Sequence, residues 1–405
     1  MSIKNIQRTH WTGAWRWALA LSTVGVLAAC GGGGGSASAG DGSLRVALTD
    51  APSCYQHVYV TVQKVRVNQS STAGDQDGGW ADLTLATPQR IDLVNLRNGV
   101  LQELGTMPLA AGHYTQLRLV LGDSATTAMA NSVQPNGGAE TALDTPSAMQ
   151  SGLKLQANFD VTAGQMADLV LDFDACKSIV KAGNSGKYLL KPVIAVVPRL
   201  VSGLTGYVST TLSLGSTTVA AQQNGATVRS TSPDANGFFS IPYLQPGTYS
   251  VVVTSDGHAT AVVNSVPVGT ATTAVNGTAT AIATPVSAMG DITGAVTATS
   301  STSSGTTTAP VTDATVSALQ TLTGGTTIDV VNQPVDGTLG TYTLHVPVGA
   351  PVTATFPTGT ATLSFTADTA VAGKYTVKAQ APNRAAQQKP ATVTSGTPAS
   401  VNFSY

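Results

Sequence analysis

The sequence predicts an all-β protein, built as tandem antiparallel β-sandwich domains after a cleaved signal peptide. Three observations carry this reading. Short runs alternate apolar and polar residues, as in Leu44-Arg45-Val46-Ala47-Leu48 and Val58-Tyr59-Val60-Thr61-Val62. A period of two places every second side chain on one face of a strand. Turn-forming residues break up these runs, with 42 Gly and 20 Pro in 405 residues, and no long stretch repeats apolar residues at the helical period of 3.6.

Composition excludes several classes. Charged residues are 10% of the chain and apolar residues 42%, where a soluble domain carries roughly 25% charged residues. Twenty Lys and Arg against 21 Asp and Glu give a net charge of −1. There is no basic excess to neutralise nucleic-acid phosphates. High net charge, the mark of charge-dominated disorder, is also missing.

Lys4, Arg8 and Arg16 make a positive start, followed by an apolar run from Trp17 to Ala29. At about 1.5 Å per residue that run reaches roughly 20 Å, short of a hydrocarbon core of about 30 Å. It reads as the core of a signal peptide over residues 1–29. Leu27-Ala28-Ala29-Cys30 closes it and looks like a bacterial lipobox, whose Cys thiol takes the lipid. Cys30 is therefore the expected lipid attachment, palmitate included, and the membrane an expected partner. Gly31 rather than Asp follows it, which by resemblance to enterobacterial sorting implies the outer membrane. The alternative is an ordinary signal peptide that contains a Cys. Residues 30–42 are rich in Gly, Ser and Ala and read as a flexible tether.

Cys54 and Cys176 remain. An exported chain with an even remainder of cysteines predicts a disulfide; two buried free thiols are the alternative.

The ordered part divides by composition into residues 43–200, 203–285 and 290–405. In the first, Val58, Val60 and Val62 continue as Val65 and Val67 after a phase slip, which predicts a bulge. Leu93–Leu104 has room for one short helix. Beyond Val201 the chain is rich in Thr, Ala, Ser and Gly, and Arg229 is the one basic residue between 202 and 372. Gly-x-Tyr recurs at Gly112, Gly247, Gly340 and Gly373. Gly enters the strand through a tight turn, and Tyr packs inward with its hydroxyl near a backbone partner.

Residues 43–200 resemble a bacterial lipoprotein family defined by domain of unknown function 4382. The likeness rests on Leu44-x-Val46-x-Leu48-Thr49-Asp50-Ala51-Pro52, Val58–Val62, Trp80, Ile91-Asp92-Leu93 and Leu109–Leu119. That family implies a fold and no activity. Residues 203–285 resemble the carboxypeptidase regulatory-like, transthyretin-like sandwich, through Gly206-x-Val208, Gly237-Phe238-Phe239, Leu244 and Pro246–Tyr249. Residues 290–405 look like a divergent copy with a Ser/Thr insertion at Ser300–Thr308. Such modules are non-catalytic and belong to a wider group of carbohydrate-binding-like folds.

Candidate chemistry is sparse. Gly122-Asp123-Ser124 after an apolar strand resembles the nucleophile block of Ser-Gly-Asn-His esterases. A serine needs an activating base, and Asp256-Gly257-His258 has the wrong spacing and lies in another module. His10, His57, His113, His258 and His345 are scattered singly, without zinc-site spacing. Asp50, Asp172 and Asp174 lie near the two cysteines, with Asp172 and Asp174 expected on one strand face; three carboxylates there are suited to Ca²⁺. Tyr55, Tyr59, Trp80, Phe238 and Tyr243 are candidate stacking surfaces for sugar rings. The expectation is a non-enzymatic, cofactor-free envelope protein with a binding, adhesion or scaffolding role, shaped as an extended stalk. Carbohydrate, calcium or an envelope protein are the candidate partners, and a Ser-dependent esterase is the remote alternative.

Overall fold

The computed structural model describes residues 40–50, 54–124, 126–145, 151–302, 305–357 and 362–405. Cys30, the signal peptide and most of the tether lie outside the described residues. The architecture is all-β, arranged as tandem sandwiches around three apolar cores.

The first core is closed by two sheets. One orders Ile194–Pro198, Met166–Phe173, Asp41–Asp50 and Gln102–Ala110. The other runs through Ile179–Lys181, Tyr188–Leu190, Thr141–Asp144, Ser132–Gln134, His57–Asn68, Gly112–Leu121 and Leu153–Val161, with Ala81–Asp92 beside His57–Asn68. The slip inside His57–Asn68 is a bulge between Val62 and Lys64. It returns Val65 and Val67 to the face of Val58, Val60 and Val62, so that all five are fully buried. Asp41–Asp50 starts inside the expected tether. It pairs parallel with Met166–Phe173, from Ser43↔Met166 to Asp50↔Phe173, and antiparallel with Gln102–Ala110 on its other edge. The short helix in Leu93–Leu104 is a single 3-10 turn, Leu93–Leu96, capped by Asp92. The chain then enters strand Gln102–Ala110, which buries Leu104, Met107 and Leu109 across a register shift at Leu104.

The second sandwich packs Phe238–Pro242, Gly203–Tyr207 and Thr272–Ala274 against a six-stranded sheet. That sheet orders Ala226–Thr231, Thr217–Gln223, Gly247–Ser255, Ala261–Val268, Val352–Thr355 and Thr366–Ala367. Its last two strands come from the segment read as part of the final module. Val352–Thr355 adds parallel to Ala261–Val268, and Val352, Phe356, Leu363 and Phe365 pack on the second core.

The third sandwich pairs Met289–Thr302 with Thr341–Pro347, Gly305–Pro310, Ala399–Ser400 and Phe403–Ser404. Facing it are Thr327–Pro334, Thr315–Thr321, Lys374–Gln380 and Gln387–Thr392. The Ser/Thr insertion is the exposed hairpin of Met289–Thr302 with Gly305–Pro310.

Tyrosine hydroxyls lock strand entries in all three. Tyr114 donates to the Ala110 carbonyl at 3.0 Å and Tyr249 to Gln245 at 2.8 Å, each four residues back. Tyr342 and Tyr375 donate to Val401 and Pro347. Burial raises the phenols of Tyr249, Tyr342 and Tyr375 above their ordinary pKa, which keeps them donors.

Candidate functional site

The parallel register of Asp41–Asp50 with Met166–Phe173 ends with Asp50 beside Phe173. Both chains leave the sheet at one end, a few residues before their cysteines. Cys54 and Cys176 are bonded there, with Cα atoms 5.2 Å apart and 122 residues between them in sequence. Cys176 sits in the one-turn helix Ala175–Ser178, whose N-cap is Asp174. Asp174 accepts from the Lys177 amide at 3.0 Å and from its Nζ at 2.7 Å. Asp50 accepts from the Ala175 amide at 3.1 Å.

These contacts correct the calcium reading. Asp50 and Asp174 hold the helical turn, and Asp172 leaves them for another partner. Its carboxylate lies 3.2 Å from the Arg229 guanidinium of the second sandwich, and both side chains are more than nine-tenths buried. The strand stops at Phe173, so the alternation that was to put Asp172 and Asp174 on one face does not continue. Among the described residues no three His, Cys, Asp or Glu side chains gather to hold a metal.

Arg229 and Asp172 form one of three joints. In the same joint the Asn98-Gly99 turn enters the second sandwich. The Asn98 amide donates to Thr231 Oγ1 at 3.0 Å, and its Oδ1 accepts from Thr231 Oγ1 and the Ser240 amide. Between the second and third sandwiches, the Gln222 side chain brackets the Asp329 peptide. Its Nε2 donates to the Asp329 carbonyl at 2.7 Å and its Oε1 accepts from the Asp329 amide at 2.8 Å. Val252 and Val262 point away from their own core and into the third, while Val251, Val253, Ala261 and Val263 face the second. Between the first and third, the Gly183 amide donates to Asp336 Oδ2 at 3.0 Å and the Gly337 amide to the Lys181 carbonyl at 3.0 Å. Lys191 Nζ reaches the Thr312 carbonyl. All three sandwiches thus touch one another, and the expected extended stalk is replaced by a closed cluster.

Where they meet, the cluster leaves an open cavity of about 690 Å³. The first sandwich contributes the disulfide, Tyr55 and Lys177; the second Thr218, Gln222 and Thr254; the third Asp329, Asn332 and Thr343. A second cavity of about 710 Å³ adjoins it, sharing Lys177, Thr227, Asp329, Asn332 and Pro334. Asp329 is 8% exposed. Its Oδ1 and the Oδ1 of Asn332 accept no hydrogen bond among the described residues. Burial pushes the Asp329 carboxyl up to about 6, against the pull of Lys177, Asn332 and Lys378. Burial likewise pushes Asp172 up to about 6, against the pull of Arg229. Asp336 goes the other way: burial raises it, but the amides of Leu339, Thr338 and Gly183 outweigh burial and hold it low.

The other candidates fall outside this cavity. Ser124 Oγ donates to the Asn131 carbonyl and accepts from the Asn131 amide at 3.1 Å, a turn closure rather than a nucleophile's setting. His258 bonds the Asp256 carbonyl in the second sandwich. His57, His113 and His345 meet Asp92, Asp160 and Asp291 through Nδ1, and His345 Nε2 also lies 3.5 Å from Asp256. Most expected stacking rings are occupied. Arg66 and Arg118 lie 4.7 Å from Trp80. Arg90 and His57 cover Tyr59, Tyr207 meets Phe238, and Arg229 lies over Tyr243. Tyr55 alone of the five lines the cavity, held edge-on to Tyr188.

Gln222, Thr254, Asp329 and Asn332 carried no signal of their own in the sequence. One trace was present: Val251-Val252-Val253 and Ala261-Val262-Val263 are apolar on both strand faces, the pattern of a sheet covered on two sides.

Residues 41–192 match the family model described as domain of unknown function (DUF4382). No curated protein matches the sequence. Among solved structures, the chain is similar to a type II cohesin–X-dockerin complex from Acetivibrio cellulolyticus at 26% identity and a TM-score of 0.18. That match covers 21% of this chain and 58% of the other. The Bacillus anthracis TIE protein matches at 12% identity over 90% of this chain and 51% of that one, with a TM-score of 0.18. The major pilin subunit BcpA of Bacillus cereus matches at 9% identity over 90% of this chain and 99% of the pilin, with a TM-score of 0.16. At such scores these likenesses carry no functional weight.

Proposed function

We propose that this protein is a non-enzymatic binding component of the bacterial cell envelope, held at the outer membrane through lipid on Cys30. We read its second and third bodies as transthyretin-like modules. One observation supports the binding role above the others: three sandwiches are fixed by buried joints around a cavity lined by both polar and apolar groups. Arg229–Asp172 and Gln222–Asp329 join buried groups of different bodies. A cavity fixed in advance costs a ligand little ordering entropy, and about 690 Å³ falls in the range of small-ligand sites. The Gly/Ser-rich residues 30–42 give such a body reach from a bilayer.

Metabolic labelling with a fatty-acid probe tests the anchoring. The chain is labelled and membrane-bound, and Cys30→Ala is not. An unlabelled wild-type chain recovered in the cytosol rejects the reading. For the esterase alternative, activity towards short acyl esters that disappears in Ser124→Ala would displace the non-enzymatic role.

A further inference from the structure

We propose that two copies of this chain pair edge to edge through strand Leu153–Val161, antiparallel and centred on Ala157.

This strand ends its sheet. Gly112–Leu121 pairs with one side of it, and no strand among the described residues pairs with the other. An open edge offers its backbone N–H and C=O groups to any strand that comes alongside, and proteins blunt such edges with proline, shortness or bulges. The other edges of the first sandwich are blunted. Ala81–Asp92 carries Pro88, Gln102–Ala110 carries Pro108, Ile194–Pro198 ends on Pro198, and Ile179–Lys181 is three residues long. Leu153–Val161 runs for nine residues without proline or glycine. Its register with Gly112–Leu121 shifts once, between Tyr114 and Gln116, yet burial alternates without a break from Leu153 to Val161.

The strand complements itself. Lys154, Gln156, Asn158 and Asp160 are exposed on one face, and the residues between them are buried on the other. Residues directly opposite in an antiparallel pair share a face. Pairing about Ala157 therefore sets Lys154 opposite Asp160 of the second copy and Gln156 opposite Asn158. Two-fold symmetry repeats both contacts. On the buried face Leu155 meets Phe159, so the apolar layer continues across the seam. A slip of two residues, the smallest that keeps the faces, takes Lys154 off Asp160. Asp160 Oδ1 meets His113 Nδ1 at 2.8 Å, and its side chain is still 77% exposed, which leaves room for the lysine. A lysine that guards a lone edge thus gains an opposite charge in this register.

The test is sedimentation equilibrium of the lipid-free mature chain at low salt, in a series reaching about 1 mM, the weak end of specific association. Wild type dimerises. Lys154→Asp and Asp160→Lys each set like charges opposite one another at both ends, and each raises the dissociation constant about tenfold. An equimolar mixture of the two variants recovers the wild-type value, because each chain then meets the opposite charge at both ends. Circular dichroism shows both variants folded. A wild type that stays monomeric throughout the series overturns the proposal. So does a dimer that either substitution leaves untouched, or one that the mixture fails to restore.

Discussion

Arg229 lies 3.2 Å from Asp172, joining the second sandwich to the first through two buried side chains. It is the one basic residue between 202 and 372, and it is spent on a partner in another body. Removing it leaves a buried carboxylate without its cation. Arg229→Met is expected to destabilise the protein by about 3 kcal/mol at pH 8. Asp172 ionises near 6, above its unfolded value of 3.8, so the penalty shrinks at pH 5, where the acid is protonated. The double variant Asp172→Asn/Arg229→Met recovers most of the loss. Urea unfolding of wild type, Arg229→Met, the single variant Asp172→Asn and the double variant at both pH values measures the coupling.

Asp329 gives the pH profile a definite sign. Its folded pKa of about 6 stands above 3.8, so the native state holds this proton more tightly than the unfolded chain does. Its stabilising contribution is complete below about pH 4 and is lost as pH rises through 6. Two units correspond to roughly 3 kcal/mol. Stability of Asp329→Asn relative to wild type is expected to improve by about that amount between pH 4 and pH 7.5. A difference that is flat with pH rejects the burial of this acid.

Gly99 tests the joint from the other side. Its φ is +78°, and a Cβ there would lie 2.7 Å from Pro242 Cγ of the second sandwich. Gly164 has a φ of +71° with nothing within 4 Å of its Cβ position. Both Ala substitutions pay backbone strain of about 1 kcal/mol, and Gly99→Ala adds a clash across the joint. Its melting temperature is expected to fall further than that of Gly164→Ala. Limited proteolysis of Gly99→Ala is expected to cut between the first and second bodies.

The disulfide closes a span of 122 residues. The loop-entropy model assigns such a cross-link about 4–5 kcal/mol. Cys54→Ser and Cys176→Ser should each lower stability towards that amount, with equal effects, since either removes the same bond. Thiol titration of unfolded, unreduced, lipid-free protein should find no free thiol.

Much of the first sandwich was legible because its signals are local. The phase slip from Val62 to Val65 encodes the bulge, and Gly-x-Tyr encodes the tyrosine locks at Tyr114 and Tyr249. The pairing of Cys54 with Cys176 was expected from a cysteine count that set Cys30 aside. The calcium reading failed at Asp172 because strand alternation gives a face but not what lies across it. The stalk failed for a related reason: Val252 and Val262 give their strands a second apolar face, but nothing along the chain says which body covers it.

By itself, then, the sequence determined that strands form, where many of them turn and which pair of cysteines was expected to bond. Periodicity, turn chemistry and cysteine parity act over a few residues or by simple count, so they can be read along the chain. Only the tertiary structure decided that Gln222 meets Asp329, that Arg229 meets Asp172 and that residues 352–367 complete a sheet of the neighbouring sandwich. Those outcomes depend on burying polar groups and apolar faces between segments distant in the chain, and no local pattern records which distant surface will meet them.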